Sequence, residues 1–299
     1  MMKSKRYSRN SAKTGLLLLL SLYFLPLIYL GCSTNTEPTY ITENAADSIR
    51  EICEGEYKLQ VRTKLVGETV WVYLPVEDLI QESEKPQKYS ERFEITFLED
   101  RFDSGSLQLQ HYIKIIPEAE KTQKAEYNKS AVEKIRNVWK VLYRVILSMD
   151  RNRPDIPKFY CVIIADIKNG VERRDTFYYQ DLKQYLYQFI SDDEYQHRSI
   201  QDFVQSEDIL GDTYGVHVNY KDITWKEFLA AQIKQRIRLK FQKPEVKQDA
   251  DIDKEIIKAI VHTLKTYDYR DFDEVEITNL LTNNKVTLNQ GAIWDRSTE

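Results

Sequence analysis

Residues 159–179 read FYCVIIADIKNGVERRDTFYY. From Phe159 to Ile167 nearly every side chain is apolar and several are β-branched, the composition of a strand buried on both faces. Lys168-Asn169-Gly170 is a tight-turn signal, because Asn and Gly accept the backbone angles that a short hairpin turn demands. Val171 to Tyr179 then reads as the return strand, so the centre of the chain is an antiparallel hairpin.

Similar units precede it. Leu59, Val61, Thr63 and Leu65 alternate with polar residues, and Val70 to Leu74 forms a denser run beyond a turn at Val66-Gly67-Glu68. Phe93, Ile95 and Phe97 alternate, as do Leu107, Leu109, His111, Ile113 and Ile115, across a turn at Asp103-Ser104-Gly105. Both predict hairpins. A short helical piece is expected at 76–83 after Pro75, and a polar loop or fraying helix at 118–129. Helices are predicted over 42–54, 130–149, about 222–241 and 252–267 from apolar side chains recurring every three to four positions. Asp181 is the expected cap of a helix through Leu182, Tyr185, Leu186, Phe189 and Ile190. Short helices and loops are expected over 192–221, with Ser199 and Ser206 as caps. Thr224 and Glu227 have the spacing of a capping box. A last hairpin pairs 274–281 with 285–289. Hairpins with helices gathered on one face or end imply an α+β fold with a helix-rich C-terminal part. A sub-boundary near 193–221 and one continuous globular region over 43–299 are both compatible with this pattern.

The chain has 299 residues, with 9 glycines and 8 prolines, too few for a Gly-rich nucleotide-binding protein or a low-complexity linker. Three cysteines and four histidines do not suit a disulfide-dense scaffold, a four-cysteine zinc site or a multi-histidine metal centre. Residues 1–31 carry Lys3, Lys5, Arg6, Arg9 and Lys13 and no acidic residue, followed by the apolar run GLLLLLSLYFLPLIYL over 15–30. This is the order of a secretory signal. Sixteen residues of helix span about 24 Å, short of the roughly 30 Å of a hydrocarbon core.

The run ends at Tyr29-Leu30-Gly31-Cys32. Gly31 and Cys32 resemble the lipobox of bacterial lipoproteins, although Tyr29 and Leu30 depart from its usual leucine and small residue. The resemblance covers roughly the first 40 residues and implies a diacylglyceryl group on Cys32, cleavage before it, and acylation of the new N-terminus. Residues 33–42, STNTEPTYIT, are polar as a tether would be. Ser33, where Asp would retain the protein at the inner membrane, implies the outer-membrane route in a Gram-negative host. An ordinary signal peptide with an incidental cysteine, or an uncleaved anchor, is the alternative. Without residues 1–31 the chain keeps 38 basic against 47 acidic residues, a net charge of −9. That disfavours nucleic acid as a partner.

Local signatures of chemistry are sparse. Asp249-Ala250-Asp251-Ile252-Asp253 resembles the start of a calcium loop, but Lys254 and Ile260 occupy the places that need Gly and an acid. An acidic first helical turn is the better reading. The acidic clusters 191–194 and 268–274 read as solvated loops in preference to a glycosidase pair. His111, His197, His217 and His262 do not form a zinc-protease motif, and there is no nucleophile elbow or phosphate loop. Asp166 and Asp175 flank the central hairpin; Asp166, just before the turn, is expected to stabilise it. Cys53 and Cys161 read as two buried thiols in preference to a disulfide. Tyr178, Tyr179, Tyr185 and Tyr187 cluster in a chain with 20 tyrosines and are the candidate interaction surface. The expectation is a membrane-anchored envelope lipoprotein that binds another envelope protein or a glycan, with no catalytic residues, cofactor or metal assigned. The alternative is a tethered hydrolase using a carboxylate pair on envelope glycans.

Overall fold

The central hairpin forms as β5 (Phe159–Asp166) and β6 (Val171–Tyr178). It sits inside a five-stranded sheet with β1 (Arg62–Val66), β2 (Thr69–Val76) and β7 (Ile200–Gln205), in the order β1-β2-β5-β6-β7. The computed structural model of the protein describes residues 42–103, 105–149, 156–242, 246 and 251–295. Among these are seven helices and nine strands in two mixed sheets, an α+β fold.

Every residue of β5 is buried, because the sheet is covered on both sides. Val70, Val72, Leu74, Tyr160, Val162 and Ile164 pack against α1 (Thr42–Tyr57) and α2 (Lys129–Ser148). The opposite face, with Trp71, Tyr73, Cys161 and Ile163, packs against Ile209, Val218, Tyr220 and Ile223 of a long loop after β7. Cys53 and Cys161 therefore belong to different cores, and both are free thiols. Burial pushes each thiol up to about 12. Gly67 turns β1 into β2 at φ +57°, and a Cβ there would lie 2.2 Å from Asp222 Oδ2. Glycine is required at that position both for its backbone angle and for its missing side chain.

The second sheet runs β3-β4-β8-β9, with β3 (Ile80–Asp103), β4 (Ser106–Tyr127), β8 (Glu274–Asn279) and β9 (Asn284–Asn289). The expected helix at 76–83 is absent. Pro75 lies within β2, beyond the end of β1, where its missing N–H breaks no ladder bond with that strand. The expected loop or helix at 118–129 is also absent, since β4 continues to Tyr127. The two strands make a ribbon far longer than the sequence predicts. Lys88–Glu120, Lys121–Glu91 and Arg92–Glu118 bridge it, and its register breaks between Glu82 and Gln87, around Pro86. The base of the ribbon adjoins the first sheet and its far end enters the second core.

Hairpins do not account for every pairing. β2 pairs with β5 in parallel, because the ribbon and α2 form a crossover between them, and β4 pairs with β8 in parallel across the long segment that separates them. α3 (Tyr179–Leu186) and α4 (Asp192–Arg198) follow the central hairpin. Asp181 does not cap α3; Tyr178 holds the N-cap position and Asp181 lies buried in the first turn. Ser191 caps α4, Ser206 caps a short 3-10 turn, and Ser199 is the C-cap of α4. β7, largely exposed at the sheet edge, occupies part of the segment expected to hold only helices and loops.

α5 (Trp225–Gln242) touches both halves of the molecule. Thr224 and Glu227 close the expected capping box, with Thr224 N donating to Glu227 Oε2 at 3.0 Å and Glu227 N to Thr224 Oγ1 at 3.2 Å. Phe228 packs on Phe159 near the first sheet, while Ile233, Ile237 and Phe241 enter the second core. That core also holds α6 (Ile252–Thr266) and α7 (Gln290–Trp294). Asp251 caps α6 through Lys254 N, which explains the acidic run there as a helix start. Residues 42–295 belong to one compact unit, and the 193–221 segment runs within it. No described helix is long and apolar enough to cross a membrane.

Candidate functional site

Strand alternation gives β6 two chemically different faces. Arg173, Asp175 and Phe177 point toward α2, whereas Glu172, Arg174 and Thr176 point toward the loop after β7.

On the first face lies a cavity of about 450 Å³. Its walls come from α2 (Trp139, Tyr143), β6 (Arg173, Asp175, Phe177), α4 with its C-cap (Tyr195, Gln196, Ser199), β7 (Gln201) and α5 (Gln235, Leu239). Asp175 is 5% exposed. Its Oδ1 accepts from Arg173 Nε at 2.8 Å and from Gln201 Nε2 at 3.2 Å. Its Oδ2 is buried and has no hydrogen-bond partner, an arrangement that costs about 1–3 kcal/mol unless a donor is supplied. Arg173 also donates from Nη1 to Tyr127 Oη at 3.1 Å. Burial opposes its charge, but Asp175 and Tyr127 outweigh that and raise its pKa. The aromatic side of the cavity is preorganised, with Trp139 packed on Phe177 at 5.1 Å and on Tyr143 at 5.7 Å.

On the opposite face, His217 is held between two carboxylates. Nε2 lies 2.9 Å from Glu172 Oε2, and Nδ1 lies 2.6 Å from Asp212 Oδ2. Arg174 pairs with Glu172, and Tyr73 donates to the Asp212 carbonyl at 2.5 Å. The carboxylates address opposite ring nitrogens and share no common centre. Among the described residues, no group of His, Cys, Asp and Glu is arranged to hold a metal ion.

A third polar cluster joins α3, α4, α5 and α6. Asp181 accepts from Arg198 Nη1 at 2.8 Å and from Tyr267 Oη at 2.6 Å. Burial pushes its carboxyl up, against these bonds. Glu194 takes Arg198 Nε at 2.8 Å and Arg236 Nη2 at 3.0 Å, with His262 at 3.7 Å. Burial works against its charge, but the cationic partners hold its pKa well below the usual carboxylate range. Glu194 is thus part of an internal network, where a solvated loop was expected.

The four candidate tyrosines differ in exposure, and Tyr179 and Tyr187 line a common hollow with Lys183 and Phe189. Tyr179 is buried, and Tyr178 packs edge-on with Trp225 and Tyr267 in an aromatic cluster. Tyr185 stacks on Tyr195 at 4.5 Å, and Tyr187, 51% exposed, lies near Phe189. Tyr178 and Tyr179 end a central strand and begin a packed helix. Cys32 lies outside the described residues. Asp166 does brace the turn, with Oδ1 accepting from Lys168 N and Asn169 N, and it also holds Leu79 N at 2.7 Å through Oδ2.

In the sequence, strand position marks Asp175 but not its cavity partners. The alternation of Arg173, Asp175 and Phe177 is the one local signal that sets them on a common face. Comparison with family models, with curated proteins and with solved structures finds no match to this chain.

Proposed function

We propose that this chain is a lipid-anchored protein of the bacterial cell envelope whose folded region is a binding module. The cavity beside Asp175 carries the binding half of the reading. It has the size of a small-ligand site and the usual mix of aromatic walls and a few fixed polar groups. Glycoside hydrolysis uses two carboxyl groups about 5–9.5 Å apart across the scissile bond. Among the described residues, Asp175 is the one carboxylate in this lining, and Arg173 and Gln201 already engage it. That favours binding over the alternative of a tethered hydrolase.

The anchor half rests on the basic start, the apolar run and Cys32, with a polar tether before the first described helix at Thr42. Two or more acyl chains give stable membrane attachment, whereas one gives marginal binding. Ser33 favours the outer membrane if the host is Gram-negative.

Mass spectrometry of the mature N-terminal peptide, beside a Cys32→Ala variant, tests the anchor. A diacylated Cys32 start, lost with membrane retention in the variant, supports it; a start elsewhere or an intact 1–31 segment overturns it. Hydrogen exchange of the full chain with and without a soluble envelope extract tests the module. Protection confined to α2, β6 and α4 supports binding in the cavity, and unchanged exchange there overturns it.

A further inference from the structure

We propose that the cavity between α2, β6 and α5 takes a neutral saccharide, stacked on its aromatic wall and hydrogen-bonded to Gln201, Gln235 and Arg173. This deepens the binding-module reading and rests on it.

Charge sets the first limit. Arg173 and Asp175 pair at 2.8 Å inside the cavity wall. Their charges compensate locally, so neither a cation nor an anion finds an unmatched partner there. A charged ligand would also lose its hydration without full repayment in charge contacts. A neutral ligand avoids both penalties.

Hydrogen bonding sets the second. Gln201 commits Nε2 to Asp175, which leaves Oε1 to accept. Gln235 accepts from Arg238 through Oε1 at 3.3 Å, which leaves Nε2 to donate. The lining thus offers an amide acceptor and an amide donor from two different elements, together with the Arg173 guanidinium. A hydroxyl both donates and accepts, so a row of hydroxyls can use such a lining in one pose. Asp175 Oδ1 fixes Arg173 and Gln201 in place for such contacts, while its Oδ2 stays buried without a partner.

The apolar wall sets the third. Trp139, Tyr143, Phe177 and Tyr195 line the same space. A pyranose ring presents C–H groups on its faces and hydroxyls around its edge. Rigid aromatic rings bury such a face at small entropic cost. A neutral peptide would satisfy the amides, but it has less use for an extended aromatic wall beside a compensated charge pair.

The test titrates the full chain with neutral trisaccharides of glucose and of N-acetylglucosamine, and with a neutral tripeptide amide, reading tryptophan fluorescence and ligand-observed NMR. Saturable binding of a saccharide is expected, weakened about tenfold or more in Asp175→Asn and in Gln201→Leu. Gln201 lies on an edge strand and is partly exposed, so Gln201→Leu keeps the test decisive if Asp175→Asn does not fold. Saccharide binding indifferent to both changes overturns the assignment of this cavity. Tripeptide binding with the same variant sensitivity, and no saccharide binding, overturns the saccharide but leaves the binding module standing. Failure of both ligand classes overturns the saccharide, and the exchange measurement with envelope extract then decides the module separately.

Discussion

His217 Nε2 lies 2.9 Å from Glu172 Oε2 on the neighbouring strand, while its Nδ1 faces Asp212 from within the same loop. A carboxylate at each nitrogen favours a proton on both. Burial works against that imidazolium, but the hydrogen bonds to Glu172 and Asp212 prevail and raise its pKa above 6.5. The folded state therefore keeps a proton that the unfolded chain loses. The clamp's contribution is complete below about pH 6.5 and is lost as pH rises through the raised folded value. Urea unfolding should show a falling midpoint on that alkaline limb, and His217→Gln should remove the slope. An unchanged slope in the variant would contradict the clamp.

His111 has the opposite sign. It is fully buried on β4 with neither ring nitrogen hydrogen-bonded, and its nearest acid is Asp253 at 3.6 Å. Burial lowers its pKa, and the partial opposition of Asp253 does not reverse this. The unfolded chain therefore binds a proton that the folded chain refuses. Stability should fall as pH drops below about 6.5 and level off once the pH passes the lowered folded value. His111→Leu should flatten this acid limb without touching the alkaline one. Together the two histidines place the maximum of their combined contribution near pH 6.5.

The reach of the sequence follows from where side chains meet solvent. The β5–β6 hairpin is legible because an all-buried strand must be apolar and Asn169-Gly170 must turn. The capping box at Thr224 and Glu227 is legible because it closes within one turn of helix. The outer ribbon is not. Residues 82–91 and 118–126 are mostly exposed on both faces, so no apolar alternation marks them as strands, and backbone pairing with cross-strand ion pairs holds them. β7 hides for the same reason. Asp175 is visible as a strand carboxylate, but Trp139, Tyr195 and Gln235 reach its cavity from three helices, and only tertiary packing brings them there.

Asp166 extends the same logic to a long-range contact. It is 1% exposed and accepts four hydrogen bonds, two at its own turn through backbone amides, one from Asn169 Nδ2 and one from Leu79 N across the sheet. Asp166→Ala should cost about 3 kcal/mol, because a buried amide loses a charged acceptor. Asp166→Asn should cost less, since one oxygen still accepts. Denaturant unfolding gives the loss, and faster exchange of the Leu79 amide would locate it. If Leu79 stays protected in Asp166→Ala, the contact does not anchor the start of the ribbon.

Removal of Arg198 should hurt the fold sharply. It is 13% exposed at the side chain and bonds both Asp181 and Glu194, while Tyr267 supplies the second donor to Asp181. Asp181 comes from α3 and Tyr267 from the end of α6, so the network ties the central hairpin's helix to the second core. Arg198→Met keeps the length and apolar stem but strands a carboxylate that is only 3% exposed at its side chain. Breaking a buried pair from one side typically costs about 3–5 kcal/mol. Tyr267→Phe removes a neutral donor to Asp181 and the acceptor of Gln232 Nε2, and should cost about 2 kcal/mol. The double variant Arg198→Met with Asp181→Leu should recover part of the loss, because it removes the stranded charge as well as its partner. Equal destabilisation in the single and double variants would mean that lost packing, and not the uncompensated carboxylate, sets the cost.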